Sequence, residues 1–441
     1  MTGDHTPSTQ TDPTEEHPRR TPRWMRSRRA GVAGITAIAL VGGWAVSSTP
    51  AARASYERAD AVNHQLDRTS ASLDRLTADH HGVGGVRNTA PRDAAFQRSL
   101  NVLVTQDGIP GVEAFVRQSD GKVRSYTAGV GNLATRTPVP ADGEVRIASN
   151  TKTFTATAVL QLVGEGRIGL DKPIETYLPG LVRGKGIDGR RITVRNLLQQ
   201  TSGLPDYDTL VASKGLLAVQ HTYFEPRQQL DAALTAPAEF KPGASWAYSN
   251  TNYLLAGLIV QRVTGRPIGE VITQRVIDRL GLRHTYWPNT GVQTIRGRHA
   301  QAYFSAKPGA DPVNVTVLDP SLGWAAGQLV STPSDLSTFN RALLDGRLLA
   351  PAQQRELLST VAAPGFEPEK GWSYGLGFAE RTLSCGVQAW GHGGDITGFE
   401  TRNLTTRDGR SVVVATTALP TKIEGLVHVN AAVQQAICDV R

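Results

Sequence analysis

The sequence predicts an α+β fold: an antiparallel sheet built from both ends of one domain, flanked by helices, with a mostly helical region inserted between the two groups of strands. Three observations carry this. Strand-like runs open the domain at Val112–Gln118 and Val123–Ala128, on either side of Ser119-Asp120-Gly121-Lys122, and read as a hairpin. Strands return only from Tyr374, with a second turn at Arg407-Asp408-Gly409-Arg410 before Ser411-Val412-Val413-Val414. Between these groups, to about Leu358, the chain is largely helix and loop, and a helix from Lys422 to Cys438 closes it.

In chain order, residues 1–29 form a polar tail whose arginines cluster between Arg19 and Arg29. Residues 30–52 carry no charge, and GVAGITAIALVGGWAV is near the lower length limit for a membrane-spanning helix. Cations ahead of an apolar segment hold that end in the cytoplasm, so the remainder is expected outside. Two outcomes stay open: cleavage at the small-x-small stretch Ala52-Arg53-Ala54, or retention as an anchor. Residues 55–90 read as a stalk or linker, with Val62, Leu66, Leu73 and Leu76 at helical spacing. Residues 91–441 form the folded domain, in which Thr151 to Glu165 reads as a helix with Phe154, Ala158 and Leu162 on one face.

Composition is that of an ordinary globular chain: 441 residues, 39% hydrophobic and 20% charged. The net charge of +8 is diffuse outside the leading arginine cluster, which speaks against a nucleic-acid partner. The sequence has neither Cys-x-x-Cys nor His-Glu-x-x-His, so no metal site is expected, and no Walker-type or dinucleotide glycine pattern implies a cofactor. The only cysteines, Cys385 and Cys438, can pair as a disulfide in an oxidising compartment or remain two separate buried thiols.

Three short elements carry chemistry. Ser149-Asn150-Thr151-Lys152 places a hydroxyl and an amine three residues apart, on one face of a helix. The free N–H groups of a helix start favour negative charge on the serine oxygen, and a lysine becomes a base near neutrality once burial lowers its proton affinity. Tyr248-Ser249-Asn250 adds a phenol, expected to ionise more readily beside an ammonium, and an amide able to orient lysine and substrate. His392-Gly393-Gly394-Asp395 adds glycines that admit a substrate backbone, and the N–H of Asp395 can join that of Ser149 in an oxyanion hole. Alone, each has a plainer reading: a helix cap, a packed aromatic, a glycine-rich strand end with a surface histidine. The three in this order, before a helix, within a loop and on a late strand, outweigh those readings.

With these motifs the chain resembles the serine β-lactamase and DD-peptidase superfamily, and within it the branch of class C β-lactamases and extracellular DD-carboxypeptidases. The supporting stretches run from Arg146 to Phe154, Leu197 to Tyr207, Pro242 to Tyr253, Ala325 to Asp335, Tyr374 to Phe378 and Leu383 to Gly386. The resemblance implies Ser149 as acylated nucleophile, Lys152 and Tyr248 sharing proton transfer, and Asn250, His392, Gly393, Gly394 and Asp395 binding substrate. It implies a D-alanyl-D-alanine carboxypeptidase-like hydrolase acting on peptidoglycan stem peptides, with a β-lactam or a small ester as alternative substrates of the same machinery. A non-hydrolytic penicillin-binding sensor or wall tether is the reading from another class. One departure stands out. The family's third motif carries Thr or Ser where this chain has Gly393, so a hydroxyl that would hold a substrate carboxylate is missing. Arg381 is the nearest cation on the preceding strand. His392 is expected to titrate and to make acylation respond to pH between about 5 and 8.

Overall fold

The computed structural model describes residues 90–208 and 214–439. The basic tail, the apolar segment and nearly all of the stalk therefore lie outside the described residues. Among those described, no helix is long and apolar enough to cross a membrane.

The fold is mixed α and β around a nine-stranded antiparallel sheet. Helix α1 (Ala90–Thr105) leads into β1 (Gly111–Arg117) and β2 (Val123–Gly129), the expected hairpin. The later strands are β3 (Val361–Ala362), β4 (Ser373–Tyr374), β5 (Ala379–Thr382), β6 (Gln388–Gly391), β7 (Gly394–Ile396), β8 (Phe399–Thr405) and β9 (Ser411–Thr416). Their order is β2-β1-β9-β8-β6-β5-β4-β3, with β7 also on β8. Both ends of the domain thus meet at the centre, where Val112 faces Thr416 and Arg117 faces Ser411. Strands return at Val361, earlier than Tyr374, and the inserted region also holds short ladders, such as Val145–Arg146 on Val330–Ser331. Two-residue strands are too short to leave an alternating pattern in the sequence.

Every residue of β9 is buried, which explains its unbroken valine run. Val412 and Val414 face a core formed with α1 and the closing helix α5 (Ile423–Cys438), including Leu100, Leu103, Val429 and Val433. Val413 and Ala415 face the larger core of the helical insert. That side holds α2 (Thr151–Gly164), α3 (Asn250–Thr264) and α4 (Pro333–Leu344). Helix α2 is apolar or threonine-lined nearly all round because it runs through this core. Its Phe154 stacks on Phe339 of α4 at 3.6 Å between centroids. Its threonines bond outward, Thr153 to the carbonyl of Gly377 and Thr155 to that of Ala325. A disulfide joins Cys385, in the β5–β6 turn, to Cys438 at the end of α5, with Cα atoms 5.8 Å apart.

Candidate active site

Ser149 lies in a single 3-10 turn, Ala148–Asn150, that runs directly into α2. Ala148 has φ 45°, a left-handed conformation that side chains other than glycine rarely adopt. This sharp entry is held from outside. Asn150 Nδ2 donates to the carbonyl of Ile147 at 2.8 Å, and Asn403 Nδ2 donates to Asn150 Oδ1 at 2.5 Å.

One helical turn on, Lys152 is fully buried. Its Nζ reaches Ser149 Oγ at 3.0 Å, Asn250 Oδ1 at 2.7 Å and the carbonyl oxygen of Ala326 at 3.0 Å. As an ammonium it donates to all three. As a neutral amine it keeps two hydrogens for the two carbonyl-type oxygens, which can only accept, and its lone pair is left for the serine hydroxyl. Burial lowers the Lys152 pKa to about 7, although the charges of Asp206, Asp208 and Asp395 pull it back upward.

Tyr248 packs beneath this amine, with Nζ 4.8 Å from its ring centroid. Its phenol does not ionise readily, contrary to the sequence expectation. Burial raises its pKa well above the ordinary tyrosine value, and a hydrogen bond with Ser149 offsets this only in part. Tyr248 is therefore a protonated phenol at the serine.

His392 also departs from expectation. It is buried, and its Nδ1 lies 2.6 Å from the carbonyl of Gly393 while Nε2 lies 2.9 Å from the Tyr374 hydroxyl. A carbonyl only accepts, so Nδ1 carries the hydrogen and Nε2 accepts from Tyr374. Burial, reinforced by Lys152, lowers the His392 pKa to about 3. The imidazole is neutral between pH 5 and 8 and is no pH sensor there. Its burial could not be read from its sequence neighbours.

His392 and Gly393 interrupt one long strand between β6 and β7, and both pieces pair with β8 in a common register, Trp390 with Thr405 and Gly394 with Thr401. At the gap, the Asn403 side chain donates to the carbonyl of His392 at 2.6 Å. One carboxamide thereby ties the broken strand to the turn that carries Ser149. A β-carbon on Gly394 would lie 2.3 Å from the carbonyl oxygen of Ile147, so only glycine lets β7 abut that turn. This close approach brings together the segments carrying the amides of Ser149 and Asp395.

Gly393 has a physical reason. A β-carbon there would lie 2.5 Å from Glu367 Oε1 and 3.2 Å from Arg402 Nη1. Arg402 is buried and gripped by acids: both oxygens of Asp395 at 2.7 and 3.1 Å, Glu400 at 3.2 Å and Glu367 at 3.4 Å. Burial alone would weaken its hold on a proton, but these carboxylates raise its pKa well above the ordinary value. Arg381, the cation on the preceding strand, faces Glu369 at 3.8 Å and the ring of Trp372. Among the described residues, no group of three or more His, Cys, Asp or Glu side chains could hold a metal ion.

Sequence reasoning missed Asp206, Tyr374, Arg402, Asn403 and Glu367. The run Phe-Glu-Thr-Arg-Asn-Leu-Thr of β8 did hold a signal: a central strand carrying both charges and an amide must find them partners inside the fold.

An activated serine, a lysine able to exist as free amine beside it and a phenol at the same oxygen define a serine hydrolase. The Beta-lactamase family model matches residues 92–436, and the chain belongs to that family, the serine β-lactamase/transpeptidase superfamily. Among solved structures it is similar to a D-stereospecific amidohydrolase from Streptomyces sp., with 40% identity, TM-score 0.69, and coverage of 76% of this chain and 97% of that one. It is also similar to the D-amino acid amidase of Ochrobactrum anthropi, with 28% identity, TM-score 0.70, and coverage of 79% and 97%. Penicillin-binding protein 4 of Amycolatopsis lactamdurans is 28% identical over 73% of this chain and 84% of its own length. A D-aminopeptidase of Cereibacter sphaeroides is 26% identical over 73% of this chain but only 59% of its own length.

Proposed function

We propose that this hydrolase cleaves amide or ester bonds on the carbonyl side of a D-amino acid residue, through an acyl-enzyme on Ser149. The observation that carries the reading is the closed third motif. Gly393 has no room for the hydroxyl that would hold a terminal carboxylate, and Arg402 is already engaged by Asp395, Glu367 and Glu400. Amides, esters and N-terminal residues do not need that contact. The relatives described as D-stereospecific amidohydrolase, D-amino acid amidase and D-aminopeptidase support the same substrate class and its stereochemistry.

In this mechanism neutral Lys152 takes the Ser149 proton as Oγ attacks the carbonyl carbon. The amides of Ser149 and Asp395 receive the oxyanion. The proton returns to the leaving amine or alcohol from Lys152, through the phenol of Tyr248, which gives one proton as it gains another. Water then resolves the ester by the same path. The arginine cluster ahead of an apolar run between Arg19 and Ala52 supports a place of action outside the membrane.

The test is parallel turnover of a D-amino acid amide, its L-enantiomer, a D-alanyl-D-alanine peptide, a short-chain ester and a labelled penicillin. Release of ammonia from the D-amide at least about tenfold faster than D-alanine from the peptide, and loss of all turnover in Ser149→Ala, is the expected result. D-alanine release with the amides untouched would restore the carboxypeptidase reading. Stable penicillin labelling without turnover of any substrate would make the protein a sensor.

A further inference from the structure

Asp206 lies outside the three short elements that carry Ser149, Tyr248 and His392, yet its carboxylate sits at the N-terminus of α3. Its Oδ2 accepts from the Asn250 backbone N–H at 2.8 Å and from Asn250 Nδ2 at 3.0 Å. The loop that carries it is fastened to the same helix end, with Thr251 donating to the carbonyl of Pro205 at 2.8 Å. Helix α3 has no side-chain cap of its own at Ser249, so a carboxylate from a distant loop occupies the positive end of the helix.

The consequence lies on the far side of the Asn250 carboxamide. With Nδ2 drawn to Asp206, Oδ1 must face Lys152, and it does at 2.7 Å. The inverted amide would set its NH2 against the lysine and its oxygen against the carboxylate, which is unfavourable at both ends. We propose that Asp206 is a positioning residue for the acylation step: it fixes the orientation of the Asn250 amide, and so holds one of the two acceptors that leave the Lys152 lone pair directed at Ser149. This rests on the reading of Lys152 as the base that activates Ser149.

The groups facing Lys152 are few. They are Tyr248 and Tyr253, whose ring centroids lie 4.8 and 5.7 Å away, the neutral His392, and the carboxylates of Asp206, Asp208 and Asp395. Burial raises the pKa of both Asp206 and Asp208, more strongly for Asp208, and the two share a hydrogen bond. The negative charge of Asp206 is favoured by the Asn250 backbone N–H and by Lys152, while that of Asp395 is bound to Arg402. Removing the Asp206 charge lets the lysine lose its proton at lower pH, the direction opposite to that of exposing the amine to water, which would raise its pKa.

The experiment is a pH profile of kcat/KM for the full chain and for Asp206→Asn, Asp206→Glu, Asn250→Ala and the double variant Asp206→Asn/Asn250→Ala. Asp206→Asn is expected to lower kcat by about 10-fold to 100-fold, as loss of an outer partner typically does. It should also move the acid limb down by roughly half a pH unit or more. Asp206→Glu, which keeps the charge, should retain the wild-type limb. The double variant should have a kcat no lower than Asn250→Ala alone, since one residue acts through the other. An unmoved acid limb in a folded Asp206→Asn, with the loss confined to KM, would overturn the proposal and make Asp206 a substrate-contacting group. Fully additive losses would overturn it too. Undiminished turnover in Lys152→Ala would instead sink the underlying mechanism, a distinguishable failure.

Discussion

Lys152 and Arg402 are both cations buried in the same site, and their surroundings treat them in opposite ways. Lys152 is met by a hydroxyl and two neutral carbonyl-type oxygens, so burial goes largely unopposed and its pKa falls to about 7. Arg402 is met by carboxylates in contact, and its charge is reinforced. Burial alone does not decide whether a cation becomes a base or a fixture. The charge of the atoms touching it does.

The comparison can be broken most forcefully at Lys152. Lys152→Arg keeps a cation but removes the group that can lose a proton, and kcat/KM is expected to fall by about 10²- to 10⁴-fold, read by steady-state turnover. A variant that retained turnover would mean that the charge, not the amine, is used. At Arg402 the expected loss is of fold rather than rate. Arg402→Met leaves the acids around it without their cation and should cost about 3–5 kcal/mol in denaturant unfolding. A smaller effect comes from Gly393→Thr, which drives a side chain into Glu367 and should cost about 1–3 kcal/mol. Adding Glu367→Ala should recover part of that loss, and the double variant is the one in which D-alanine release from a carboxypeptide should first appear. The smallest effect sharpens the contrast. The acid limb of kcat/KM should rise through about pH 7 as Lys152 loses its proton, and His392→Gln should leave that midpoint where it is, because the imidazole is already neutral there.

These two cations also divide what the sequence could disclose. Ser149 and Lys152 were legible because helical periodicity is local: three residues apart on a helix is a contact by construction. The terminal hairpin and closing helix were legible for the same reason, from turn residues and apolar spacing. Arg402 was not, since its meaning depends on Glu367 and Asp395 folding onto it from other segments. Asn403 meets Asn150 across 253 positions of sequence, and Asp206 meets Asn250 across 44. Protonation states were the least visible of all. Tyr248 and His392 were found by motif, but the direction of their titration follows from burial that no neighbouring residue announces.

The covalent bond between Cys385 and Cys438 ties the closing helix to the hairpin that feeds His392. Helix α5 lies beside α1 in the core on that side of the sheet, so loosening of α5 is transmitted into that core instead of being shed. The last helix cannot peel off alone. It leaves with the strand that feeds His392 or stays, and so belongs to the cooperative unit that shapes the candidate active site.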